Sequence, residues 1–292
     1  MTRFLIAAAM LVGLAGTGLM GPAMAQAPTP PPPVVREITK IAGEVYRFRN
    51  NAHYSVFAVT PAGIIATDPI NAAAATWLKD ELKKRWPNLA IKYAIYSHDH
   101  ADHISGGEVW TDAIFVAHEN AKEPIIGEKR PTPAPQITFS EKATIELGGT
   151  VAELHWVGRN HSNNSVVLRF PKERLIFAVD FMPVKGVAFR DFPDAYLDEW
   201  IESLRRVEAM EFDILAPGHG ALGTKADVVA FRGYLEDLRA QVMAAVRAGK
   251  TLEETKKLVD LSKYKDWGGF EAMSQLNIEG VYRIVQWTRR PN

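Results

Sequence analysis

Residues 95–107 read IYSHDHADHISGG, and positions 98–103 of that stretch hold three histidines and two aspartates. The apolar run IKYAIYS leads directly into them, which places the cluster at the end of a predicted strand. Unpaired polar groups beside a core cost free energy unless something binds them. Imidazole nitrogen and carboxylate oxygen suit Zn²⁺, and a catalytic zinc takes about three protein ligands and keeps a position for water. Side chains alternate along an extended segment, so His98, His100 and Asp102 are expected to face one way and His103 the other. One stretch then serves two metals.

Four ligands are too few for two ions, and the chain supplies three more. His161 lies in GRNHSNNS between two predicted strands, Asp180 ends the apolar run RLIFAVD, and His219 sits in APGHG after another strand. All three stand at strand ends or in short loops, where distant parts of a sheet converge on one edge. The sequence has no cysteine, so a metal site must be built from nitrogen and oxygen ligands.

Around these residues the pattern alternates. Short β-branched and aromatic runs from ITKIAGEVYRFR to HYSVFAVTPAGIIATDPI read as strands and hairpins. NAAAATWLKDELKKRWP reads as a helix capped by Asn71 and stopped at Pro87, with Trp77, Leu78, Leu82 and Trp86 at helical spacing. GGEVWTDA suggests a helical turn, IFVAH a strand and EKRPTPAPQ a proline-rich loop, followed by three strand-rich stretches. Two amphipathic helical patterns then flank FDILAPGHG, and helices continue through a C-terminal segment, residues 225–292, that either covers the core or forms a dimer face. That order predicts a layered α/β protein with sheets inside and helices outside.

Residues 1–25 read as a cleaved export signal, with a basic start, an apolar stretch and AMA before Gln26. APTPPPP then gives residues 26–35 the composition of a stiff spacer, and residues 36–292 form the expected domain. The expectation is therefore a secreted or periplasmic protein with no stable membrane insertion after cleavage. Lys and Arg total 34, as do Asp and Glu. Such a balance argues against nucleic acid and for a small-molecule substrate. Oligomeric state is not legible.

The order H-x-H-x-D-H, a His before Ser, an Asp ending a strand and then P-G-H-G resembles the metallo-β-lactamase-fold hydrolase superfamily, over residues 36–222. The resemblance implies an α/β (α+β) fold: a four-layer αββα sandwich of two mixed β-sheets with outer helices and the metal site along one sheet edge. It places His98, His100 and His161 on one zinc and Asp102, His103 and His219 on the other, with Asp180 bridging. Asp68, in GIIATDPI, matches a strand-end acid of the family and is read as orienting a ligand. His53 and Tyr54 precede a strand and read either as hairpin residues or as bordering the site, and none of His53, His118 and His155 matches a ligand position. The N-x-S sequences at Asn160 and Asn163 fall inside the expected ligand loop and are not read as glycan sites.

The implied cofactor is a pair of zinc ions, with iron or manganese as alternatives, and the implied reaction is attack by a hydroxide that the metals generate near neutral pH. Asp102 is the expected catalytic residue, passing a proton to the leaving group. The leading function is hydrolysis of an ester, lactone or related acyl bond. The alternatives are a β-lactamase and a non-catalytic periplasmic metal- or partner-binding protein. In the cysteine-free dinuclear β-lactamases, the position of Asp180 is usually not a metal-bound carboxylate. FMPVKGVAFRDFPDAY, residues 181–196, reads equally as an apolar pocket wall and as packing beneath the C-terminal helices, with Lys185 and Arg190 as candidate partners for a substrate carboxylate.

Overall fold

The computed structural model describes residues 33–288. The expected export signal lies outside the described residues, as does the expected spacer up to residue 32.

Seven strands form the first sheet in sequence order: β1 (Arg36–Ala42), β2 (Val45–Asn50), β3 (His53–Thr60), β4 (Gly63–Thr67), β5 (Ile91–Ile95), β6 (Ile114–His118) and β7 (Ile137–Phe139). The hairpins β1 to β4 pair antiparallel and β4 to β7 pair parallel. The second sheet contains β8 (Lys142–Leu147), β9 (Thr150–Trp156), β10 (Val166–Phe170), β11 (Leu175–Ala178) and β12 (Ile214–Ala216). Its strands are antiparallel except for the parallel pair β11 and β12. Both sheets are therefore mixed, as expected.

The alternation of strand side chains sorts the core into layers. Val56 and Ala58 of β3 pack with Leu154, Leu168 and Phe177 between the two sheets. Phe57 and Val59, one residue out of phase, pack on the other face against Leu78 and Leu82 of α1 (Ala72–Arg85). In the second sheet, Leu175 and Phe177 point into the middle layer, and Ile176 and Ala178 point outward. There they meet α4 (Leu197–Glu208), α5 (Lys225–Arg247) and α7 (Phe270–Thr288) through Leu204, Leu235 and Val281. The result is the αββα sandwich. In the C-terminal segment, α5 and α7 cover the second sheet, with the short α6 (Leu252–Leu258) between them in sequence.

Helix α1 begins where its sequence says it should, because the Asn71 side chain accepts from Ala74 N at 2.9 Å. Truncating its fully buried Leu78 to alanine costs about 2–5 kcal/mol. Helix α3 (Glu119–Gly127) carries Pro124 within it, a residue that lacks the N–H of a helical hydrogen bond. His118 caps it, with Nδ1 accepting from Asn120 N at 3.2 Å. Between β5 and β6, residues 101–104 form a single helical turn, α2 (Ala101–Ile104).

Candidate metal centre

The candidate ligands all follow strands and gather on one edge of the sandwich. Asp68 directly follows β4, His98 and His100 follow β5, and Asp180 and His219 follow β11 and β12. His161 comes from the connection between β9 and β10. Asp99 fastens that connection to the histidine loop: its N–H donates to Asn164 Oδ1 at 3.0 Å, and Asn164 Nδ2 donates back to Asp99 Oδ1 at 2.9 Å. The first aspartate of the opening cluster is thus structural. At the Asp180 turn the backbone is left-handed, φ 60°, a conformation that Asp tolerates better than most residues. Gly218 allows the two strand ends to approach, since a Cβ there would stand 2.4 Å from Val179 Cγ1.

Two groups of possible ligand atoms result. The first joins His98, His100, His161 and Asp180; the second joins His53, Asp102, His103 and His219. Asp180 stands between them, with Oδ2 3.5 Å from His98 Nε2, 3.7 Å from His161 Nε2 and 3.2 Å from His103 Nε2. Its Oδ1 lies 3.2 Å from His219 Nε2. The expectation from simple alternation, that Asp102 shares a side with His98 and His100, is corrected. The chain turns helical at Ala101, so Asp102 swings to the His103 group. His53, for which the sequence left a hairpin role and a place at the site's border both open, joins the second group. It opens β3, its Nε2 donates to Asp102 Oδ2 at 3.2 Å, and its ring packs edge-on to His219 with centroids 4.6 Å apart. The only sequence signal was its place at a strand end.

The far side of most rings is already committed. His100 Nε2 donates to Asp194 Oδ2 at 2.7 Å, and His219 Nδ1 donates to Ala52 O at 3.0 Å. His98 Nδ1 lies 2.9 Å from Ser97 Oγ, and His103 Nδ1 stands 3.5 Å from Asp68 Oδ2. Asp68 also accepts from Ser97 N at 2.8 Å and so braces the start of the loop. Partners of this kind fix which ring nitrogen turns its lone pair to a metal. His118 and His155 lie elsewhere, bonded to Ser140 O and Glu153 respectively.

The inward-facing atoms fit a divalent cation. His98 Nε2 and Asp180 Oδ1 are buried without a hydrogen-bond partner, an arrangement that is costly unless positive charge stands among them. His161 Nε2 approaches His100 Nδ1 to 3.0 Å, and His103 Nε2 approaches His219 Nε2 to 3.2 Å. Burial pushes the pKa of His98 down and that of His161 down to about 3, which leaves both rings neutral with lone pairs free. Burial also opposes charge on His103, but Asp180 and Asp68 outweigh it and raise its pKa well above 6.5. The Asp180 carboxyl is held well below its ordinary value by His103, His219 and His98, against the effect of burial. The carboxylates thus call for cationic charge at the second group, and a proton or a metal answers the same field.

Beside the two groups opens a cavity of about 530 Å³. His100, Asp102, His161, Asp180 and His219 line one side, and Met182, Val187, Phe189, Pro193 and Met273 line the other. Both readings of residues 181–196 hold, at different positions: Phe192 is buried against the C-terminal helices, and the exposed Phe189 faces the cavity. Lys185 and Arg190 are exposed and line none of it.

A family model described as the metallo-beta-lactamase superfamily matches residues 69–219. Among curated relatives, the alpha subunit of 2,4-dinitroanisole O-demethylase of Nocardioides sp. (strain JS1661) is 25% identical over 229 residues, covering 77% of this chain and 69% of that protein. A metallo-beta-lactamase type 2 of Bacteroides fragilis is 22% identical over 203 residues, covering 64% of this chain and 80% of that protein. Among solved structures, a metallo-beta-lactamase from Pontibacter korlensis superposes with a TM-score of 0.62 at 19% identity, covering 69% of this chain and 99% of its own. That likeness establishes the fold.

Proposed function

The chain belongs to the metallo-beta-lactamase superfamily of metal-dependent hydrolases, and on that premise we propose that it is an exported dinuclear zinc enzyme that hydrolyses an ester, lactone or related acyl bond. The observation that carries this reading is Asp180, whose Oδ2 stands between the two histidine groups, 3.5 Å from His98 Nε2 of the first and 3.2 Å from His103 Nε2 of the second. His98, His100 and His161 would hold one ion, and Asp102, His103 and His219 the other, with Asp180 shared. His53 stands at the rim of the second group. Bound zinc supplies Lewis acidity and lowers the pKa of water toward neutrality.

The chain's own residues supply the rest. Asp102 lines the cavity with its side chain about half exposed, and His53 holds one of its oxygens, so the carboxylate can receive a proton and return it to a leaving group. Asp194 keeps the His100 ring turned, and Trp200, packed edge-on to His161 with centroids 5.8 Å apart, fills the space behind that ring. The apolar wall opposite limits water around the scissile group.

Turnover of β-lactams is the second reading, supported by the similarity to the Bacteroides fragilis enzyme. The central position of Asp180 and the absence of Lys and Arg from the cavity lining among the described residues weigh against it, since a β-lactam carries a carboxylate beside its scissile amide. Export rests on residues 1–25. Among the described residues no helix is long and apolar enough to cross a membrane. An N-terminal sequence starting at Gln26 in the exported protein is the expected result.

The test of function is metal content per chain after dialysis, followed by a panel of lactones, aryl esters, thioesters and a chromogenic cephalosporin with and without chelator. Two zinc ions and chelator-sensitive acyl hydrolysis are expected. Retained metal with no chelator-sensitive turnover would favour the non-catalytic alternative.

A further inference from the structure

The apolar half of the cavity has a construction of its own. Its wall belongs to the connection between β11 and α4, in which Lys185, Arg190 and Phe192 are all left-handed, at φ 47°, 51° and 55°. Non-glycine residues hold such conformations only when their surroundings fix them. Gly268, just before α7, donates its N–H to Lys185 O at 2.8 Å, and α7 fixes the stretch around Arg190 and Phe192 through three residues spaced along one face. Asn277 Nδ2 donates to Ala188 O at 2.9 Å and also to Arg190 O, and its Oδ1 accepts from the buried Tyr234 hydroxyl. Gly280 packs directly on the loop, where a Cβ would stand 2.1 Å from Asp191 O. Arg283 donates to Asp191 Oδ2 at 2.8 Å. Met273, one turn before Asn277, then joins Phe189 in the cavity lining. Helix α7 lies outside the stretch that the family model matches, residues 69–219.

The charges of the lining differ sharply between its two sides. Carboxylates of Asp102, Asp180 and Asp194 face it on the ligand side, and no Lys or Arg lines it anywhere among the described residues. A substrate anion placed away from the metal groups would lose its hydration against Phe189, Val187 and Met273 with no cation to replace it. We propose that this half of the cavity is a subsite for an uncharged aryl or branched alkyl group. The enzyme's substrates are then neutral esters or lactones, and α7 sets that selectivity by holding the loop in place. The inference rests on the acyl-hydrolase reading above and narrows it.

A matched pair of esters tests it, with release of the phenol from the aryl butanoate bond as the readout: methyl 4-(butanoyloxy)benzoate and its free acid, 4-(butanoyloxy)benzoic acid, share that bond and differ by the methyl group that removes a single negative charge. Using the zinc-loaded enzyme, kcat/KM is expected to be at least about tenfold higher for the methyl ester, mostly through KM. Phe189→Ala and Met273→Ala should raise KM for the methyl ester with zinc content unchanged. Met273→Lys should narrow or reverse the preference, and its zinc content reports whether the site survives the change. Chelator-sensitive hydrolysis of both esters at equal efficiency overturns this inference alone. No chelator-sensitive hydrolysis of either overturns the acyl-hydrolase reading and this inference with it.

Discussion

His100 Nε2 donates to Asp194 Oδ2 at 2.7 Å, and the same ring turns Nδ1 toward His161 Nε2 at 3.0 Å. A carboxylate 94 positions away in sequence therefore decides which nitrogen of His100 faces the first ligand group. Asp194→Ala should weaken binding of zinc at that group by about 10–100-fold, measured by competition with a chromophoric chelator. Asp194→Asn, which keeps an acceptor, should lose less. Equal affinity in all three proteins would show that the contact orients nothing.

Asp180 belongs to the first group and reaches the second through His103 and His219. Asp180→Ala should lower zinc content below two per chain and depress turnover by orders of magnitude, with circular dichroism close to that of the parent. Unchanged zinc and activity would remove Asp180 from the centre.

The contact between His53 and Asp102 makes a graded prediction. His53→Ala frees the Asp102 carboxylate, so kcat should fall by about tenfold while KM for a small ester stays near the parent value. His53→Gln retains a donor and should recover part of the loss. A change confined to KM would instead assign His53 to substrate binding.

Acid stability should depend on His118. Burial outweighs the bond to Ser140 O and holds its pKa below the ordinary 6.5, so the folded chain keeps the ring neutral and Nδ1 free to cap α3. The unfolded chain has no such constraint, so this group's contribution is complete above about pH 6.5 and is lost as pH falls below it. His118→Gln cannot titrate and should show a shallower loss of Tm between about pH 7.5 and about pH 5. Parallel Tm curves would count against the assignment.

Asn277 satisfies two loop carbonyls at full burial. Asn277→Ala leaves them and the Tyr234 hydroxyl without their partner, at a cost of about 1–3 kcal/mol, read as a lower denaturant midpoint. Gly280→Ala should do comparable harm by pushing Asp191 outward.

The sequence by itself determined the ligand types, their order and the layering. HDHADH at the end of an apolar strand, followed by His161, Asp180 and His219 after later strands, limits the chemistry to nitrogen and oxygen donors. The phase of alternation in strands such as VFAV assigns faces because its period is local. Helix α1 was legible from Asn71 and Pro87 for the same reason. Only the tertiary structure decided the side on which Asp102 falls, because one helical turn at residues 101–104 cancels the alternation. It alone joined His53 to Asp102 and Asp194 to His100, through contacts 49 and 94 residues apart in sequence. The pocket was undecidable in sequence for a related reason. Phe189 and Phe192 are three residues apart and both aromatic, yet Phe192 is buried in the core beneath the helices and Phe189 is exposed and lines the cavity. Local pattern reports that a residue prefers to leave water; long-range packing chooses the surface it meets.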